Sequence, residues 1–263
     1  MAKTKKNKKG AKKTYVGIVI DRSGSMSSCR DIAWKGLNEQ IKTIKQFADK
    51  GGETFVTLVQ FDDVFEILRD NEPAKEIHEI DYSEYRPRGS TALLDAVGRT
   101  IGMLETHETT DDTGFLVLVI SDGQENASKE WVGDKLKNKI KELEATDKWT
   151  FTYMLSNVDV HQMVTKLGAS PGNMASYTSS PVGSANAFGN LSLNSANYMS
   201  SRAKGLTSTP DYYNNAGSVS NIPADVTITN TVTPPVTSTI TLSADQQKEI
   251  DKAVDILNKA LNK

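Results

Sequence analysis

The stretch "YVGIVIDRSGSMSS", Tyr15 to Ser28, decides how the rest of the chain is read. A run rich in β-branched residues ends on a carboxylate, Asp21, and small hydroxyl residues follow at Ser23, Ser25, Ser27 and Ser28. A near-continuous apolar run of this length predicts a strand buried on both faces. One acid and several hydroxyls at the end of such a strand suit a serine nucleophile, a phosphate or a hard metal ion. The flanking sequence has to choose among them.

Downstream, apolar positions Ile32, Leu37, Ile41, Ile44 and Phe47 keep roughly helical spacing, with Ser25 to Ser28 as an entrance and Gly51-Gly52 as a stop. "TFVTLVQF" and "VFEILR" read as two strands turning at Asp62-Asp63. A helix is expected over "GSTALLDAVGRTIGMLE", the most apolar strand over "GFLVLVI", and an amphipathic helix over "KEWVGDKLKNKIKELEA". "TFTYMLS", "VDVHQMVTKLGA", "MASYT" and a helix from about Val182 to Lys204 complete the alternation. The pattern predicts an α/β fold: a doubly wound, mostly parallel six-stranded sheet with one antiparallel edge strand and helices on both faces.

Domain boundaries follow from composition. Residues 1–13 hold seven lysines and no acid and read as a disordered arm; 14–204 form the α/β domain; 205–242 are a Ser/Thr/Asn/Pro-rich linker; 243–263 form an amphipathic helix with Ile250, Val254, Leu257 and Leu261 on one stripe. That stripe has to be covered by the domain, a partner or a second copy of the chain. The formal charge is −2, and removing the arm's seven positive charges leaves −9 on residues 14–263. A basic arm on an acidic body allows nucleic-acid contact, but no aromatic residue interleaves the lysines, so a solvated tail is favoured. The lone Cys29 excludes an internal disulfide, and no apolar run is long enough to span a membrane. With no apolar segment behind the first lysines, a cytoplasmic location is expected.

In an open parallel sheet, ligands gather at the carboxyl ends of strands where the strand order reverses. Two predicted strands end on an aspartate followed by small residues, Asp21 and Asp122. If these strands are neighbours, both carboxylates meet, and close like charges resist joint ionisation unless a cation lies between them. Ser23, Ser25 and Thr91 add neutral oxygens. Such a set, with no His or Cys, suits Mg²⁺ best among common metals, with Mn²⁺ or Ca²⁺ as alternatives.

"DRSGSM" matches the Asp-x-Ser-x-Ser motif of von Willebrand factor type A (vWA) domains, "RGSTALLDAV" looks like that family's second, threonine-bearing element, and "VISDGQEN" like its third. The later part of the chain also looks like single-domain bacterial and phage members. The resemblance implies a metal-ion-dependent adhesion site. Ser23, Ser25 and Thr91 would ligate directly, and Asp21 and Asp122 directly or through water. A carboxylate from a partner protein would fill the open position, giving a Mg²⁺-dependent binding module without catalysis. Asp95, Gln124 and Glu125 are expected beside the ligands or against the partner. As ordinary structure, the serines and Thr91 would instead be helix caps and Asp122-Gly123 a turn. An assembly role, as a virion or filament subunit joined through its tails or metal site, is the alternative function, with a virion location if the chain is of phage origin. A metal-dependent phosphohydrolase is disfavoured, because Ser23 stands where haloacid dehalogenase-like enzymes usually have a second aspartate.

Overall fold

The structure is a computed structural model that describes residues 12–48, 52–122, 125–156, 160–178 and 180–213. The expected terminal helix, most of the linker, most of the lysine arm and Gln124 lie outside the described residues.

Six strands form one sheet: β1 (Lys13–Asp21), β2 (Glu53–Phe61), β3 (Phe65–Pro73), β4 (Thr113–Ser121), β5 (Trp149–Ser156) and β6 (Met174–Tyr177). Their order is β3-β2-β1-β4-β5-β6. All neighbours are parallel except β2 and β3, the predicted hairpin. From β1 the chain builds outward to β2 and β3, then returns to the other flank of β1 to start β4. The switch point therefore lies between β1 and β4, whose register places Ile20 opposite Ile120. Asp21 therefore ends β1 beside Ser121, and Asp122 follows one residue beyond the end of β4.

Residue parity divides the core. Val16, Ile18 and Ile20 of β1 join Leu116, Leu118 and Ile120 of β4 under α1 (Arg30–Phe47) and α5 (Pro181–Ala203). The alternate residues Tyr15, Val19, Phe115, Val117 and Val119 pack under α2 (Leu93–Leu104), α3 (Lys135–Glu144) and α4 (Val160–Leu167). Period-two alternation with both faces buried is why these strands read as unbroken apolar runs. Helix α5 approaches α1 so closely that a Cβ on Gly36 would enter the Phe188 ring.

Three boundaries differ from the sequence reading. The amphipathic pattern from Lys129 becomes helical only at Lys135, because the N–H groups of Lys129, Glu130 and Trp131 donate to Asp95 and Gly133 adopts φ +61°. The packed body runs past Lys204 to Tyr213: Tyr212 is buried, its N–H donates to Asn173 Oδ1, and Tyr213 N–H donates to Gly172 O. At the other end, Lys13 already belongs to β1, and Lys12 Nζ donates to Ala203 O at 2.5 Å.

Candidate metal centre

Asp21 ends β1 fully buried. Its Oδ1 accepts the Ser23 N–H at 2.6 Å and its Oδ2 the Ser121 hydroxyl at 2.6 Å, while Tyr85 Oη donates to its main-chain carbonyl at 2.6 Å. Burial pushes the Asp21 carboxyl up to about 6. The hydrogen bonds from Ser121 and Ser23 pull the other way, and the Asp122 charge adds to the rise. An ionised Asp21 is thus under-compensated by the protein alone.

The serine hydroxyls are not helix caps. Ser23 precedes a 3₁₀ turn (Gly24–Cys29) without making a side-chain cap, and its Oγ lies 3.0 Å from Ser25 Oγ. Two hydroxyls facing one another share one bond between them and keep lone pairs for a further ligand. Ser23 is buried and Ser25 exposed, so the pair runs from the strand end toward solvent. Thr91 is buried but caps nothing either: α2 starts after it, with Ala92 at the N-cap and no side-chain cap bond.

Backbone hydrogen bonds stitch the three loops together. Gly24 N–H donates to Gly89 O at 3.1 Å, and Arg88 N–H to Arg22 O at 2.7 Å, joining the Asp21 loop to the Thr91 loop. Gly89 has φ +67°, and a Cβ there would strike the Asp63 carboxylate, so the turn requires glycine. Thr91 N–H donates to Asn126 Oδ1 at 2.9 Å, and Asn126 N–H returns to Thr91 O at 3.0 Å, tying in the loop after Asp122. Asp21 at the end of β1, and Ser23, Ser25, Thr91 and Asp122 just beyond strand ends or before α2, therefore stand at one knitted corner.

The neighbouring acids mainly support these loops. Asp95 accepts the N–H groups of Lys129, Glu130 and Trp131 at 2.8–2.9 Å. Although burial works against it, these three bonds hold its carboxyl below the usual range. Glu125 accepts the N–H groups of Leu94, Ala127 and Ser128 and the Ser128 hydroxyl, so it caps α2 from across a loop. Asp62 accepts Val64 N–H, as a turn aspartate should, and also pairs with buried Arg22 at 3.2 Å and Arg88 at 3.0 Å. Sequence reasoning missed Ser121, Tyr85 and the clasp role of Asn126. Only the offset of one hundred residues between β1 and β4 reveals that Ser121 lies beside Asp21.

The von Willebrand factor type A domain model matches residues 16–190. The chain belongs to that family. Its vWA domain is similar in fold to the pilus adhesin SpaC of Lactobacillus rhamnosus GG in its open conformation. That match has 11% identity and a TM-score of 0.54, over 72% of this chain and 31% of the adhesin. Proximal thread matrix protein 1 of the mussel byssus matches at 14% identity and TM-score 0.49, over 73% of this chain and 47% of its own. A vWA protein of Catenulispora acidiphila matches at 13% identity and TM-score 0.47, over 71% and 43%. The chain spans less than half the length of each of these three. No curated protein matches it. Among the described residues, no helix is long and apolar enough to cross a membrane.

Proposed function

We propose that this vWA domain is a metal-dependent protein-binding module, holding Mg²⁺ or a similar hard cation among Asp21, Ser23, Ser25, Thr91 and Asp122. The observation that carries the reading is the buried Asp21 carboxyl, raised to about 6 beside hydroxyls that cap no helix. An all-oxygen donor set of mixed charge fits a hard cation. Once bound, the cation would offset the carboxylate charges and present a position that a partner's carboxylate could fill.

The protein's own residues set up that position. Ser121 and the Ser23 N–H fix the Asp21 carboxylate by one bond to each oxygen, so its orientation is set before any ion arrives. Tyr85 anchors the end of β1, and Asn126 holds the backbone of Thr91. A carboxylate buried and bonded at both oxygens is a poor phosphoryl acceptor, which favours binding over hydrolysis. Partner capture through the open position, rather than turnover, is the activity we assign.

Calorimetric titration of Mg²⁺ and Mn²⁺ into chelator-treated protein tests this directly. The parent should bind one equivalent, and Ser23→Ala with Ser25→Ala should weaken binding while leaving the unfolding midpoint in EDTA nearly unchanged. Equal metal affinity in parent and double variant would remove the hydroxyls from the site.

A further inference from the structure

The turn between β2 and β3 holds more contacts than a hairpin needs. Asp62 Oδ1 accepts the Val64 N–H at 2.6 Å, and Asp62 N–H donates to Val64 O at 3.2 Å; these two bonds close the turn. The other carboxylate oxygen, Oδ2, serves two arginines. It accepts a hydrogen bond from Arg88 Nε at 3.0 Å and forms an ion pair with Arg22 Nε at 3.2 Å. Arg22 also reaches Glu66 Oε2 on β3 through Nη1 at 2.6 Å. The network of Arg22, Arg88, Asp62 and Glu66 has two charges of each sign and is formally neutral.

The two arginines stand where the proposed ligands do. Arg22 lies between Asp21 and Ser23, and Arg88 shortly precedes Thr91. One carboxylate at the end of β2 is therefore tied to both loops. The main chain repeats the pattern: Arg22 N–H donates to Phe61 O at 2.8 Å, Ala92 N–H to Asp62 O at 3.0 Å, and Arg88 N–H to Arg22 O at 2.7 Å. Asp62 and Arg22 are buried, whereas the Arg88 side chain is 62% exposed. Folding alone does not favour this arrangement. Arg22 Nη2 is buried and, among the described residues, has no hydrogen-bond partner, which costs stability. The same pairing keeps the guanidinium next to Asp21 in sequence engaged with Asp62 and Glu66. The adjacent acid, Asp63, is exposed and accepts only a 3.4 Å bond from Ser90 N–H.

Building on the metal-dependent reading, we propose that Asp62 is a positioning residue for the metal corner. By holding Arg22 and Arg88 on one oxygen, it keeps the loop of Ser23 and Ser25 and the loop of Thr91 at the separation the cation requires. Asp62 acts through the two arginines and is not itself a ligand. Residues that orient metal ligands in this way typically govern affinity by about 10- to 100-fold.

The test is calorimetric titration of Mn²⁺ into chelator-treated parent, Asp62→Asn, Asp63→Asn and Arg88→Gln. The Asp62→Asn side chain can still accept from Val64 N–H but no longer pairs with two guanidinium groups, and affinity should fall roughly tenfold or more. Asp63→Asn removes the same charge one residue away, and its affinity should change by less than about threefold. Arg88→Gln separates position from charge. Losing a positive charge beside a cation site favours the cation by Coulomb's law, whereas losing the clasp should weaken binding about fivefold or more. In EDTA, the Gly24 amide, bonded to Gly89 O across the two loops, should exchange with deuterium faster in Asp62→Asn than in the parent, beyond any change at Val117 in the middle of β4. Equal losses in Asp62→Asn and Asp63→Asn, unchanged or tighter binding in Arg88→Gln, or unchanged Gly24 exchange would overturn the proposal, while Mn²⁺ binding by the parent would uphold the metal reading. A parent that binds no Mn²⁺ would bring down both. Should Asp62→Asn fold poorly in EDTA, Arg88→Gln, at an exposed side chain, decides the question by itself.

Discussion

The two ends of the sheet face the same physical problem and solve it differently. At the amino end of β1, the fully buried Arg202 brings a positive charge into the fold. Thr14 Oγ1 accepts from its Nε at 3.0 Å, Lys13 O and Asp112 O accept from Nη2 at 2.9 and 2.6 Å, and Leu206 O accepts from Nη1. At the carboxyl end, Asp21 is as deeply buried, yet no cationic side chain among the described residues pairs with it, and Ser23 and Ser25 face each other instead of capping a helix. One end carries its own cation, fixed by oxygens drawn from three parts of the chain. The other end has collected the oxygens alone. A buried polar cluster that is complete serves stability, whereas one that is short of a counter-charge is where a ligand is expected.

Substitutions should separate the two ends, beginning with the largest effect. Arg202→Met should cost about 3–5 kcal/mol in urea unfolding, because four oxygens lose a charged donor, and metal should not rescue the loss. A cost below about 1 kcal/mol would mean that water replaces the guanidinium and that this end is not closed.

Asp21→Asn should do the reverse in EDTA, raising stability by about 2–3 kcal/mol at pH 8, since each pKa unit of displacement is worth about 1.4 kcal/mol. The sign follows from linkage. Burial raises the folded-state pKa of Asp21, so between the ordinary carboxylate range and about pH 6 the metal-free folded protein holds a proton that the unfolded chain has released, and above that the full cost of ionising it persists. The Asp21 contribution is therefore most favourable below the ordinary carboxylate range and is lost as pH rises through about 6. Stabilisation by Mn²⁺ should run oppositely and grow through the same point, because the ion requires the ionised form. A metal-free parent and Asp21→Asn with identical pH profiles between 4 and 8 would remove Asp21 from this role.

Asn126→Ala leaves every proposed ligand in place but frees the Thr91 loop. Metal affinity should fall about 10- to 100-fold while stability in EDTA drops by only about 1 kcal/mol. The smallest effect belongs to Lys12→Met, whose Nζ bond to Ala203 O sits at the edge of the closed end. It should cost about 0.5 kcal/mol in the same unfolding experiment and leave metal affinity untouched.

The open end was far more legible in the sequence than the closed one. Asp21, Thr91 and Asp122 each end an apolar run or open a helix, so pattern places them at element boundaries, and a parallel sheet carries such boundaries to one edge. Ser23 and Ser25 are visible by their spacing from Asp21. Ser121 was hidden because a serine closing a strand carries no pattern of its own, and only strand register sets it against Asp21. Asn126 and Tyr85 act through single long-range bonds that no periodicity encodes. Arg202 lies near the end of a helix of small polar residues, and its partners are 90 to 190 residues away apart from Leu206. The same holds for Gly205 to Tyr213, where composition suggests a linker but Tyr212 is buried between α5 and the β5–β6 edge through Ser195 and Asn173.

The most direct test of the open end is thermal unfolding of parent and Asp21→Asn in EDTA and across a Mg²⁺ and Mn²⁺ series at pH 8. A metal that binds only the folded state should stabilise the parent by about 2.7 kcal/mol at a hundred times its Kd. The expected result is a midpoint that climbs with metal in the parent and stays level in the variant, which in EDTA starts above the parent. Equal shifts in both proteins, or none in the parent at millimolar metal, would contradict a metal site built on Asp21.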